Sequence, residues 1–488
     1  MRYGNKFILL HSVDENSRWA ECIKYINETI NSGKSVIILF PDINSAQRIK
    51  RIIDSSTGLT SVILYRNQPK ELEEWLKVKT GGIRIVLGTR SCVFAPVSNL
   101  GLIIIEQEQD EAYKQDQVPH YHPREVAIMR ADIERANLIF ASSCPSLESM
   151  YLARKKKCHY IFLLGGKKRP EVKVIDIKGS IFLSKYLQDA IASNLIAKKK
   201  TLLFYNRKGF ATSAVCKACG KALRCSRCQV NLTYHYENKM LICHYCNFKI
   251  SVPEICPDCN AGYIRYSGRG TEKVESELAR IFPTAKIVRL DRQEPVDTAE
   301  ADIFIATSSI IRKAKDIFSL VAVISADNML NRVDFRSAEK TFQILAGLYT
   351  LTKDQMVIQT RYPRHHCFQA FLFDNDFNLF YDEELKQRRQ LNFPPFRNFA
   401  LVKVRGEKEE QVKNLSLHIF EYLKKKIKDK IIQVNSVNAG FPSRLRGKYY
   451  WQVLSSSKNV NNLSNFLKIN LKRFSRSGII ITVDIDPL

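Results

Sequence analysis

The chain has 488 residues, with 76 Lys or Arg against 49 Asp or Glu and a formal charge of +27. Roughly three domains and a sizeable core fit that length. The positive excess points to a polyanion partner, most simply nucleic acid, although the many Lys, Asn and Ile residues are also what an AT-rich coding sequence produces. No apolar run approaches the length of a membrane span and no signal peptide precedes the first strand, so the expectation is a cytoplasmic protein with no membrane partner.

Taken in order, Phe7–Leu10 reads as a buried strand, followed by a helix from about Ser17 to Ile30 and a second apolar strand from Ser35 to Phe40. Further strands are expected at Val62–Tyr65, Ile83–Leu87, Leu102–Ile105 and Leu138–Ala141, with amphipathic helices between them. Continuous Ile/Val/Leu runs that alternate with helices indicate a parallel sheet covered on both faces, as in a RecA-like or other doubly wound lobe. A second lobe begins near Val172, with strands at Val172–Asp176, Thr201–Tyr205, Ile287–Leu290, Ile303–Ala306, Val321–Ser325 and Met356–Gln359. The last section changes character. Strands at Leu401–Val404, Ile432–Val437, Tyr450–Ser455 and Ile479–Val483, with helices at Glu407–Lys428 and Asn461–Phe474, follow a β-α-β-β-α-β order and predict a small α+β domain. The division expected is a first lobe over 1–165, a second over 166–362 with an insertion at 211–264, and a C-terminal domain over 363–488.

The insertion holds eight cysteines in four C-x-x-C pairs: Cys216/Cys219, Cys225/Cys228, Cys243/Cys246 and Cys256/Cys259. Each pair can present two thiolates to one ion from a tight turn, so four pairs complete two four-cysteine zinc sites. The gaps of 5, 14 and 9 residues leave no room for a separate domain between pairs. An all-sulfur tetrahedral set leaves no position for a reacting water, which makes the sites structural. His235 and His244 lie within the segment, but eight thiolates already fill two sites. Each such site carries a formal double negative charge, and Lys217, Lys221, Arg224, Arg227, Lys239 and Lys249 supply nearby cations. The remaining cysteines, Cys22, Cys92, Cys144, Cys158 and Cys367, are scattered, which suits a reducing compartment.

With these cysteines the chain resembles the PriA family of bacterial replication restart helicases. The resemblance is carried, in order, by GTRS (Gly88–Ser91), LGLIII (Leu100–Ile105), EAYKQ (Glu111–Gln115), YHPREVAIMRA (Tyr121–Ala131), CPSLES (Cys144–Ser149) and LLFYNRKGF (Leu202–Phe210). After the cysteines come GRGTEKVE (Gly268–Glu275), ADN (Ala326–Asn328), DFRSAEKTFQ (Asp334–Gln343), FPPF (Phe393–Phe396), RLRGKYYWQ (Arg444–Gln452) and VDIDP (Val483–Pro487). It spans residue 6 to the end. It implies two RecA-like lobes, two zinc ions, DNA as partner with other primosome proteins, and ATP with Mg2+ as the fuel of a 3′-to-5′ DNA helicase. It also implies nested zinc pairing, with Cys216, Cys219, Cys256 and Cys259 in one site and Cys225, Cys228, Cys243 and Cys246 in the other. The aromatic-rich loop of the family, which couples DNA contact to hydrolysis, corresponds to Tyr113, Lys114, Gln115, Tyr121 and His122. These types suit base stacking and phosphate contact, and a packed surface loop is the alternative. Arg207 and Lys208, just after a strand, are a further candidate phosphate contact.

The departures fall together on one site. A phosphate loop needs glycines for a nest of backbone N–H groups, a Lys for the β/γ-phosphates and a hydroxyl for magnesium. Here the segment reads Ser12-Val13-Asp14-Glu15-Asn16-Ser17-Arg18-Trp19, with Arg18 at the Lys position and Trp19 at the hydroxyl position. The family's acidic box, Asp-Glu-Glu-His, reads Glu106-Gln107-Glu108-Gln109. Glu106 can still hold magnesium through water, Gln107 cannot orient the attacking water, and Glu108 and Asp110 read as solvated charges. The Gly-Arg-Ala-Gly-Arg motif that senses the γ-phosphate is replaced by Ile344–Lys353, without an arginine. Ala306–Lys313 lacks the family's glycine. With the first core strand starting at Phe7, the family's two N-terminal DNA-binding domains are not expected in this sequence. The sequence therefore reads as a restart protein that binds forked or single-stranded DNA and has lost ATP turnover. Two alternatives stay open: residual helicase activity through Arg18, Glu106 and Glu108, and a decayed gene product without a role.

Overall fold

The run Phe7–His11 is buried along its whole length and forms β1, parallel to two neighbours. In the computed structural model, which describes residues 6–166, 168–177, 182–206, 213–235, 240–243, 245–262, 264–267, 271–290, 301–313, 318–332, 334–373, 377–427 and 431–487, the chain divides into two compact units. The first comprises residues up to Thr201 together with Ser308–Leu391, and the second Leu202–Thr307 with Asn392–Pro487.

In the first unit, α1 (Glu15–Asn31), β2 (Ser35–Leu39), α2 (Ile43–Thr57), β3 (Val62–Leu64), α3 (Glu71–Lys79), β4 (Ile85–Gly88) and β5 (Leu100–Glu106) follow β1. They are succeeded by α4 (Pro123–Glu134), β6 (Asn137–Ser142), α5 (Leu147–Arg154) and β7 (His159–Phe162). The strands form one parallel sheet in the order β3-β4-β2-β5-β6-β1-β7. Every residue of β2 and β5 is buried, as apolar runs covered on both faces require. Each buried Ile, Leu or Val there contributes about 1.5–3 kcal/mol. Trp19 and Cys22 of α1 pack with Ile8, Leu10, Val36 and Ile38 in the core. The short edge strand β7 was not expected, because His159–Phe162 shows neither a long apolar run nor a clear alternation. A parallel trio, Phe318–Val323, Thr352–Thr360 and Glu171–Asp176, completes the sheets of this unit, joined by the helices Ser337–Thr350, His366–Phe373 and Asn378–Leu391.

The second unit contains the parallel strands Ile287–Arg289 and Ile303–Ala306, with Thr201–Phe204 beside the latter. The cysteine region is a five-stranded antiparallel sheet in the order Lys249–Ser251, Met240–Ile242, Thr233–His235, Ser213–Cys216, Ile264–Ser267. The C-terminal sheet is antiparallel, in the order Ile432–Leu445, Lys448–Ser457, Asn398–Gly406, Ile479–Ile485. The helices Glu409–Lys426 and Val460–Leu471 bury Val412, Leu415, Ile419, Leu463 and Leu467 against it. The strand expected at Ile432–Val437 runs on to Leu445, past a register shift between Ala439 and Arg444 that contains Pro442. A proline is tolerated there because this is the edge strand and the shift releases it from the ladder. Parallel α/β sheets, an antiparallel cysteine-rich region and an α+β C-terminal domain are the fold class expected from the sequence.

Candidate functional site

The turn from β1 into α1 is where a phosphate loop would lie. Asp14 is the N-cap of α1, and its carboxylate accepts from Ser17 N at 3.0 Å and Ser17 Oγ at 2.6 Å. Helix N-termini attract anions through unsatisfied N–H groups and the positive end of the dipole. Here the chain supplies its own anion. The hydroxyl of Ser12 accepts from Asp14 N at 3.2 Å, which tightens the turn. Trp19 stacks on Phe40 at 5.7 Å and is buried in the core.

Arg18 is 1% exposed, and its Nη2 donates to Glu106 Oε1 at 2.7 Å. A second donation runs from Nη1 to the Ser12 carbonyl. Burial pushes the Glu106 carboxyl up from its ordinary range, opposed by the guanidinium of Arg18. Arg18 of α1 and Glu106 at the end of β5 thus form a buried ion pair between helix and strand.

The rest of the acidic box is wired internally. Gln107 lies in the left-handed region (φ 49°), and its Oε1 accepts from Ser143 Oγ at 3.0 Å and Gln109 Nε2 at 2.8 Å. Ser142 Oγ donates to Gln109 Oε1 at 2.6 Å. The expectation that Glu108 and Asp110 are solvated is corrected. Glu108 is fully buried, accepting from Arg124 Nη1 and Ser146 N, both at 2.7 Å. Asp110 receives both Nε and Nη2 of Arg312, at 3.0 and 2.6 Å. Burying a carboxylate without such partners would cost several kcal/mol, and the partners lie far away in sequence.

From Arg124 the charges continue as a buried network. Arg336 Nη1 donates to Glu148 Oε1 at 2.8 Å, Arg388 Nη2 to Glu339 Oε2 at 2.9 Å and Arg388 Nε to Glu384 Oε1 at 3.1 Å. Burial would raise the Glu148 carboxyl, but Arg336, then Arg124 and Arg388, hold it well below the usual carboxylate range. Where the arginine-rich motif would lie, the helix Ser337–Thr350 presents Leu345, Ala346 and Leu348, all buried. A Cβ on Gly347 would meet Ile311 at 2.6 Å, so that glycine lets two helices approach closely.

The candidate DNA loop is more packed than its residue types suggest. Tyr113 is wholly buried, and its hydroxyl donates to the Glu106 carbonyl at 2.6 Å. Lys114 and Gln115 are 7% and 8% exposed. His122 caps α4 by accepting Arg124 N on Nδ1 at 3.2 Å, and burial, then Arg124, pushes its pKa well below the ordinary value. Tyr113, Lys114 and Gln115 are thus buried, and His122 is half-buried at the start of α4. Tyr121 is half-buried and meets Phe94 edge-on at 5.3 Å, with Phe94 50% exposed. Arg207, Lys208 and His244 lie outside the described residues.

The eight cysteines gather into two groups of four, Cys216/Cys219/Cys256/Cys259 and Cys225/Cys228/Cys243/Cys246, each with its sulfurs within 4.8 Å of one another. This is the nested pairing. Sulfur separations of 3.6 Å (Cys216–Cys259), 3.9 Å (Cys219–Cys256) and 3.7 Å (Cys225–Cys246) are far longer than the roughly 2 Å of a disulfide. They match the edge of a tetrahedron with Zn–S bonds of about 2.3 Å, which is about 3.8 Å. Both clusters are consistent with two zinc ions.

One turn is used four times. The residue after each pair, Gly220, Gln229, Asn247 and Asn260, is left-handed, with φ between 57° and 71°. Its N–H returns to the carbonyl of the first cysteine at 2.8–3.0 Å. Gly and Asn are the residues that adopt this conformation most cheaply, a signal present in the sequence beside the cysteines. Among the described residues, His365, His366 and Cys367 form a third group of donors within 4.8 Å. Its donors are engaged, with His366 Nε2 on Glu384 at 3.0 Å and His365 Nδ1 accepting Cys367 N at 3.2 Å.

Comparison with known proteins follows the same lines. A family model of the PriA DNA helicase Cys-rich region (CRR) domain matches residues 225–250, and one of the Primosomal protein N C-terminal domain matches 389–488. Replication restart protein PriA of Bacillus subtilis is 30% identical over 99% of this chain, which spans 64% of that relative's length. The Rickettsia typhi protein of the same name is 30% identical over 99% of this chain and 78% of its own length. A solved structure of RecG bound to a three-way DNA junction overlaps 79% of this chain and 44% of its own at 10% identity, with a TM-score of 0.44. With both domain models matched in place and near-complete collinearity with these relatives, the chain belongs to the family of replication restart protein PriA.

Proposed function

We propose that the chain is a replication restart protein that binds forked or single-stranded DNA, and whose nucleotide position is closed by its own side chains, so that it holds DNA without ATP-driven unwinding. The observation that carries this reading is the buried Arg18–Glu106 pair at 2.7 Å. Phosphoryl transfer depends on free cations and donors positioned around the phosphates and their metal. In this chain the helix N-terminus is capped by Asp14, Arg18 is neutralised by Glu106, and Gln107 carries no charge. To admit Mg2+ and ATP, the Arg18–Glu106 pair would have to break.

The charge of +27 supports DNA as partner. On this reading two zinc ions sit on the eight cysteines as structural metal. The lobes at 1–165 and 166–362, the insertion at 211–264 and the C-terminal domain at 363–488 form the working division. Tyr121 is then the contact residue of the aromatic loop, Arg207 and Lys208 are further phosphate contacts, and other primosome proteins are further partners in a bacterial cytoplasm. Two measurements on the purified chain test the reading: ATP hydrolysis with and without forked DNA, and DNA affinity across a salt series. Salt-dependent binding without turnover supports it, DNA-stimulated turnover restores the helicase reading, and absence of both leaves a remnant without a role.

A further inference from the structure

The hairpin of the C-terminal sheet ends on one of the two cysteine clusters. Its loop is two residues long, Arg446 and Gly447, both left-handed at φ 51° and 84°, as a tight turn between twisted strands requires. Arg446 N–H reaches Cys228 Sγ at 3.4 Å, Gly447 N donates to the Arg227 carbonyl at 3.3 Å, and Arg444 Nη1 to the Ser226 carbonyl at 3.4 Å. All three bonds fall on Ser226–Cys228, the turn of a single cysteine pair, some 218 residues away in sequence. Leu445 packs against the apolar cluster that includes Leu223, Cys225, Cys228, Leu232 and Cys243.

We propose that this hairpin tip is a clamp on the site formed by Cys225, Cys228, Cys243 and Cys246, and that metal in that site in turn holds the C-terminal domain against the cysteine-rich region. The proposal rests on the reading that both clusters take zinc. The chemistry is direct. Four thiolates around a divalent ion leave a double negative charge. An N–H donated to a thiolate sulfur, the Arg444 guanidinium on the same turn and the apolar cover of Leu445 all lower the cost of that charge. Groups that orient and neutralise metal ligands typically change metal affinity 10–100-fold. The two sites also differ in shelter: Cys225, Cys228 and Cys243 are buried, whereas Cys219 and Cys259 of the other site are exposed.

The test uses the full chain. Zinc is first counted by metal analysis, then its release to a chromophoric chelator is timed in the wild type, in Leu445→Glu and in Arg444→Gln. The exposed substitution Lys185→Gln, on the helix Lys185–Ile196 outside the cysteine-rich region, serves as control. In both hairpin variants one of the two zinc ions should leave about 10–100 times faster, with the other and the control unchanged. Alkylation and mass spectrometry should place the newly reactive thiols at Cys225, Cys228, Cys243 and Cys246. In the wild type, stripping the metal should speed amide exchange in the hairpin around Arg446. A wild-type count below two refutes the metal reading and the clamp with it. Two zinc ions released at wild-type rates from both variants, or faster release from the Cys216 site, refutes the clamp alone.

Discussion

Glu106→Ala leaves the guanidinium of Arg18, itself 1% exposed, buried without its carboxylate. Removing one partner of a buried ion pair costs about 3–5 kcal/mol, whereas replacing both by apolar groups of similar volume is often neutral or stabilising. In a unit of this size each kcal/mol corresponds to about 2–4 °C, so the single variant should melt about 6–20 °C below the wild type. Arg18→Met should cost a comparable amount, because Glu106, with burial already pushing its carboxyl up, then stands alone. The double variant Arg18→Met/Glu106→Leu should recover most of the loss. Urea unfolding of the four proteins gives the coupling as a double-mutant cycle. Single variants within about 1 kcal/mol of wild type, or a double variant whose loss is the sum of the singles, would show that the two groups are not coupled and would remove the observation on which the closed nucleotide position rests.

Tyr113→Ala should act on stability, costing about 3–5 kcal/mol as a buried aromatic deletion, and at temperatures where the protein is folded DNA affinity should be unchanged. Tyr121→Ala should do the reverse, weakening single-strand binding by about 1–3 kcal/mol with a smaller thermal shift, as paired melting and fluorescence-anisotropy titrations would show. His11 is wholly buried, and burial, reinforced by Arg18, lowers its pKa from 6.5 to about 3. Above pH 6.5 it is neutral in both states. Between 6.5 and about 3 only the unfolded chain takes up the proton, so stability should fall with falling pH by up to about 1.4 kcal/mol per unit. His11→Gln should flatten that slope in a pH series of urea midpoints. Metal analysis should give two zinc ions per chain, and paired Cys→Ser changes confined to one cluster should leave one.

The apolar runs made the first sheet readable, because in a parallel sheet the run itself marks burial on both faces. The four C-x-x-C pairs marked the metal region for the same reason, since local spacing sets how many thiolates one turn can present. What escaped the sequence depends on distance along the chain. Glu108 and Asp110 sit in a polar stretch and read as solvated, yet their partners Arg124 and Arg312 are 16 and 202 residues away. Tyr113 and His122 have the residue types of a DNA loop, but their burial is decided by the Glu106 carbonyl and the start of α4. The contact of Arg446 with Cys228 is of the same kind. It belongs to neither segment alone and becomes visible only once both sheets are formed.

The proposed function requires DNA contact without ATP turnover. Steady-state ATP hydrolysis by the purified full chain with Mg2+ separates the two, at saturating forked DNA and at a salt concentration where binding has been verified by titration. Binding should weaken with salt with a log–log slope of about −0.7 per contacted phosphate on single strands, and the hydrolysis rate should stay at the level of the DNA-free control. Hydrolysis that rises with forked DNA in proportion to the bound fraction, and that Glu106→Gln abolishes while the protein remains folded, would show instead that the chain is an active DNA-dependent ATPase.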